Sequence, residues 1–146
     1  MLKFIVTGAS QGIGYEIVKS ILLQGDYVIF NDIDWEQTEL ASAQLKALGL
    51  TNFSTLVEDA ASETFLSQLN ELIDTTPGTL AGAVCNAGIT TFGDFWSYSR
   101  ESMDEILRIN IKGTFFLIQL IAKKLKEQNL GGSIVLTSSV TGHIAH

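Results

Sequence analysis

Thr7-Gly8-Ala9-Ser10-Gln11-Gly12-Ile13-Gly14 is the stretch on which the reading of this chain turns. A short, mostly apolar run (residues 2–6) precedes it. An apolar stripe of Ile13, Ile17, Val18, Ile21 and Leu22 follows at helical spacing. Small residues between a strand and a helix let the backbone turn tightly and approach a bulky anion. The helix start then offers unpaired N–H groups to a group such as a pyrophosphate. The spacing is G-x-x-x-G-x-G rather than the common G-x-G-x-x-G dinucleotide fingerprint. The glycines could also serve only to pack helix against strand.

The same alternation continues outward from this stretch. Residues 27–31, 53–57, 82–85 and 133–137 are short and mostly apolar through consecutive positions, as strands buried on both faces are. Between them lie stripes of Ala41, Leu45 and Leu48, and of Phe65, Leu69, Leu72 and Ile73. Gly25 and Gly49 stand where left-handed helix caps want glycine, and Ser62 where an N-cap is expected. A longer helix begins within 99–102 and runs to about Gln128. This order predicts a doubly wound α/β fold with a parallel sheet in three layers and right-handed crossovers. Residues 1–146 form one domain, and ligands bind such sheets beyond the carboxyl ends of the strands.

Composition narrows the partners. The formal charge of −7 argues against nucleic acid and membrane surfaces. One cysteine, Cys85, allows no internal disulfide, and its surroundings read as core rather than reactive. The apolar run 114–122 stops at Lys123-Lys124 and is too short to span a bilayer. A soluble, cytoplasmic protein is expected. His143 and His146 lack a carboxylate partner, so no metal is expected.

Asp32 closes the second strand. A carboxylate there accepts both hydroxyls of an adenosine ribose and repels a 2′-phosphate. Asp34 is the competing candidate, and an ordinary solvated turn is the plainer alternative. No Lys or Arg occupies Ser10, Gln11 or Ile33, where a 2′-phosphate needs a cation. NAD is therefore expected in preference to NADP.

These motifs together resemble the short-chain dehydrogenase/reductase family. Residues 7–14 are similar to its glycine signature, with Gly8, Ser10, Gln11, Gly12, Ile13 and Gly14 as cofactor-binding positions. Asp59, with Ala60 beside it, resembles the Asp that hydrogen-bonds adenine. Asn86-Ala87-Gly88 resembles the motif that holds the central sheet and borders the nicotinamide ribose. Asn110 is similar to the Asn of the catalytic tetrad, and Ser139, rather than Ser138, to the catalytic Ser. The resemblance implies a Rossmann-like, NAD(P)-binding domain with strand order 3-2-1-4-5, part of an oxidoreductase that interconverts a secondary alcohol and a ketone. It also implies a homo-oligomer, dimer or tetramer, at full length. Asn110 is assigned to a local helix kink and a water of a proton relay; a purely structural amide is the alternative, and either way it must bond backbone or water. Ser139 is assigned to the substrate carbonyl, although serine after a strand is also a common turn former. The segment 90–99, with Phe92, Phe95 and Trp96, either packs as a loop or interface, as Trp35 also would, or walls the substrate site.

By the resemblance the family's Tyr-x-x-x-Lys is expected just beyond His146, and none of the three tyrosines stands in for its Tyr. Tyr15 lies in the first helix, Tyr27 opens a strand, and Tyr98 is followed four residues later by Ser102. The sheet is thus expected to be truncated after its fifth strand, as a piece of a longer enzyme. The alternative is a naturally short, non-catalytic dinucleotide module that senses redox state.

Overall fold

The computed structural model describes residues 1–139; His143 and His146 lie outside the described residues. Five strands, β1 (Leu2–Thr7), β2 (Tyr27–Asp32), β3 (Phe53–Val57), β4 (Thr79–Cys85) and β5 (Ser133–Leu136), form one parallel sheet in the order β3-β2-β1-β4-β5. Three helices alternate with the first strands: α1 (Gly12–Leu23), α2 (Trp35–Ala47) and α3 (Glu63–Thr75). Between β4 and β5 come α4 (Arg100–Ile106), a π-helical segment (Leu107–Gly113) and α5 (Thr114–Gln128). The doubly wound topology is the one expected.

Successive strand residues point to opposite faces, and here both faces are covered. Ile5 and Ile29 pack with Phe65, Leu69, Leu117 and Ile121 on the side of α3 and α5. Val6, Val28 and Phe30 pack with Val18, Leu22 and Leu45 on the side of α1 and α2. The strands therefore read as unbroken apolar runs, and each such fully buried side chain contributes roughly 1.5–3 kcal/mol. Gly25 and Gly49 close α1 and α2 with left-handed backbone, and Ser62 caps α3 by accepting from Phe65 N at 2.9 Å.

The structure differs from the sequence reading at several edges. β4 begins at Thr79 rather than residue 82, because β1 pairs with it from Leu2↔Thr79 onward. β5 ends at Leu136, although Thr137 N still donates to Cys85 O. Ile13 and Leu48 are exposed: the first lies in the opening turn of α1, the second just past Ala47 at the end of α2. The long C-terminal helix is one continuous run, but the π-helical segment containing Asn110 interrupts its α geometry. Lys3, unremarked in sequence, is buried. Its ammonium donates to Ile73 O (2.6 Å) and Thr76 O (2.8 Å), closing the end of α3.

Candidate dinucleotide cleft

A cleft of about 320 Å³ opens beyond the carboxyl ends of the strands. Gly8 and Gln11 line it from the loop after β1, Asp32 and Ile33 from the end of β2, and Asp59 and Ala60 from beyond β3. Asn86, Ala87 and Gly88 line it from beyond β4, with Ile89 and Ile109 beside them. Eight of the expected cofactor residues thus meet at one place. Ser10 and Gly14 lie behind the cleft wall, and Gly12 and Ile13 face a neighbouring groove along α1.

The loop residues are small because backbone passes close to backbone. Gly8 has φ +61°, and a Cβ there would lie 2.8 Å from Ala87 Cα. At Gly14 a Cβ would lie 2.2 Å from Gly8 O and 2.8 Å from Asn86 Nδ2. The close contact is therefore with the loop and Asn86 rather than with β1 itself. Asn86 ties three strands together: Nδ2 donates to Thr7 O and Gly8 O, and Oδ1 accepts from Thr137 Oγ1. Thr7 Oγ1, which the sequence reading missed, accepts from both Asn86 N and Ala87 N.

Helices α2, α3 and α4 are each capped by a side chain: Asp34, Ser62 and Ser99. Helix α1 is not; Gln11 precedes it with no side-chain cap bond. Its opening turn keeps donors and a partial positive charge beside the cleft. Nothing stands within 4 Å of where a Cβ at Gly12 would lie. An uncapped helix start with open space before it fits an anionic phosphate group.

Ser10 is buried, and its N–H and hydroxyl both donate to Asp32 Oδ2, at 3.0 and 2.6 Å. Ile33 N and Asp34 N donate to Oδ1. Asp32 is thereby held at the cleft through both of its oxygens. Asp34 instead caps α2 through Gln37 N. The buried amide of Asn31 donates to Leu56 O and Glu58 O, joining the end of β2 to the turn that carries Asp59. A polar residue inside an apolar strand was its only signal in sequence.

Asp59 Oδ1 accepts from Ala61 N at 2.8 Å, and Oδ2 pairs with Arg108 Nη1 at 2.8 Å. Arg108 also forks onto Glu105, which holds the guanidinium more firmly protonated and the Glu105 carboxyl below its usual range. The Asn110 amide closes a two-way bond with one residue's main chain: Nδ2 to Ile89 O (2.8 Å) and Ile89 N to Oδ1 (2.9 Å). Its partners are backbone, as a half-buried amide needs. Ser139 lies past β5 on the same edge of the sheet as the cleft.

Cys85 is buried, and burial pushes its thiol up to about 11. Phe92, Phe95 and Trp96 are all exposed, and the last two meet edge-on at 5.5 Å; the core does not use them. Tyr15 and Lys19 share the Tyr-x-x-x-Lys spacing but not the place. Tyr15 packs on the core under α1, and Lys19 pairs with Glu16 on the surface. Among the described residues no group of three or more His, Cys, Asp or Glu could hold a metal. No described helix is long and apolar enough to cross a membrane.

A doubly wound sheet with a glycine-lined cleft at its carboxyl edge defines a dinucleotide-binding class of fold. The family model "short chain dehydrogenase" matches residues 3–146, and the chain belongs to the short-chain dehydrogenase/reductase family of oxidoreductases. A short-chain dehydrogenase/reductase of Armillaria gallica is 33% identical over 140 residues, covering 94% of this chain and 53% of that protein. L-rhamnose 1-dehydrogenase (NADP(+)) of Thermoplasma acidophilum is 28% identical, over 96% of this chain and 55% of its own length. A short-chain type dehydrogenase/reductase from Mycobacterium marinum superposes with a TM-score of 0.91 at 25% identity, covering 99% of this chain and 58% of that one. The chain spans about half the length of these relatives.

Proposed function

We propose that this chain is the cofactor-binding part of an NAD(H)-dependent oxidoreductase that interconverts a secondary alcohol and a ketone. The observation that carries the cofactor choice is Asp32. Its carboxylate stands at the cleft with no Lys or Arg at Ser10, Gln11 or Ile33. In this reading Gly8, Gln11, Gly12, Ile13 and Gly14 cradle the pyrophosphate at the start of α1. Asp32, steadied by Ser10, accepts the adenosine ribose hydroxyls. Asp59 and Ala60 meet the adenine, and Asn86, Ala87 and Gly88 border the nicotinamide ribose. When bound, the nicotinamide supplies the site that gives or takes a hydride.

Ser139 positions and polarises the substrate carbonyl, and Asn110 fixes the helical kink that seats a relay water. In a chain that continues into Tyr-x-x-x-Lys, the Tyr moves the proton and the Lys lowers its pKa. The exposed row Met103, Leu107, Ile111 and Phe115, four residues apart, supports assembly as a homo-oligomer.

Calorimetric titration with NADH and NADPH tests the cofactor choice. NADH binds at least about tenfold more tightly, a difference of about 1.4 kcal/mol. Asp32→Ala narrows that gap mainly by relieving repulsion of the 2′-phosphate. Equal affinities in the unsubstituted chain would remove Asp32 from this role.

A further inference from the structure

Arg108 lies in the π-helical segment and faces two carboxylates. Nε and Nη2 reach the two oxygens of Glu105, each at 2.8 Å, and Nη1 lies 2.8 Å from Asp59 Oδ2. The first contact joins residues three apart on the same helical run. The second crosses to the turn after β3, where Asp59 lines the cleft. Glu105 thus aligns the planar guanidinium, and the remaining nitrogen is aimed at Asp59. A lysine cannot reproduce this three-way grip.

The Asp59 carboxylate is held at both ends, by Ala61 N on Oδ1 and by Arg108 on Oδ2. Without Arg108 one main-chain bond would remain and the carboxylate could turn about it. Arg108 is about a third exposed, with a side-chain value of 36%, and an ion pair at that exposure adds little to stability. Its consequence is therefore geometric. A carboxylate only accepts hydrogen bonds, and the amine at position 6 is the donor on the edge of adenine.

We propose that Arg108 is a positioning residue that makes the cleft selective for adenine by fixing the Asp59 carboxylate towards the base's 6-amino group. This inference rests on the dinucleotide reading above. It adds a determinant in the helix between β4 and β5 to a base site otherwise built from the turn after β3. It also links that site mechanically to the segment carrying Asn110.

The test compares NADH with reduced nicotinamide hypoxanthine dinucleotide, which carries a carbonyl where adenine has the 6-amine and an N–H where adenine has the N1 lone pair. Both are titrated into the full chain and followed by nicotinamide fluorescence. The unsubstituted chain prefers NADH by about tenfold, as loss of a hydrogen bond to a charged acceptor requires. Arg108→Met brings the preference below about threefold, by weakening NADH while the analogue's affinity stays within about twofold. Should Arg108→Met fail to fold, Arg108→Gln is judged by the same ratio. A variant that keeps the tenfold preference, or weakens both nucleotides equally, overturns the assignment and leaves the cofactor reading intact. If the unsubstituted chain binds both dinucleotides equally well, the Asp59 reading itself fails and Arg108's role with it. Absence of NADH binding altogether defeats the cofactor reading on which both depend.

Discussion

Ser10 and Asp32 show how residue identity and residue role separate. The resemblance set Ser10 among the cofactor positions, and the structure shows it buried with both its donors on Asp32. Cys85 shows the reverse, a residue whose sequence reading as inert core holds. Burial raises its thiol from 9.0 to about 11. A pKa raised on folding stabilises the chain fully below the unfolded value, and that contribution is lost as pH rises through the folded one. Urea unfolding between pH 8 and 11 should therefore show the unsubstituted chain losing more stability than Cys85→Ala. Identical pH profiles for the two would mean that the thiol is not desolvated.

Among the elements, the start of α1 matters most. It lacks the side-chain cap that α2, α3 and α4 carry, and it packs so tightly that Gly14 admits no Cβ without displacing Gly8 O or Asn86. Gly14→Val should abolish NADH binding by calorimetry and lower the melting temperature, since overpacking typically costs about 1–3 kcal/mol. Undiminished binding would reduce the glycine run to a turn. The π-helical segment is the second such element. Its extra width carries Asn110 to the Ile89 main chain and Arg108 to Asp59, contacts that tie the C-terminal helical run to the cleft.

For the whole molecule, the cleft is a product of sheet order. With β1 at the centre of β3-β2-β1-β4-β5, the loops after β1, β2, β3 and β4 converge at one edge. β5 is an outer strand of the described sheet, with Val135 and Leu136 exposed. The 146 residues alone should show no NAD-linked alcohol oxidation in a spectrophotometric assay, because a positioned acid/base typically supplies roughly 10²–10⁴-fold in rate. A chain continuing into Tyr-x-x-x-Lys should turn over, and Ser139→Ala in it should cut kcat far more than NAD affinity. Robust turnover from a chain of verified mass ending at His146 would overturn the mechanism.

The sequence by itself determined the layered fold and the glycine-rich loop, while the strand order and the rest of the cleft were legible through the family resemblance. Its decisive signals are local: consecutive apolar residues mark strands buried on both faces, and glycines mark places where no side chain fits. Asp32 was legible because it ends a strand and Asp59 because of the family resemblance, and a parallel sheet brings both positions to one edge. Partners distant along the chain were left to the tertiary structure. Arg108 drew no reading from the sequence, and nothing in spacing revealed its contact with Asp59, which requires the π-helical segment and the turn after β3 to be packed first. Thr7, Asn31 and Lys3 were likewise silent, because a buried polar group takes its role from the donors and acceptors that folding places around it.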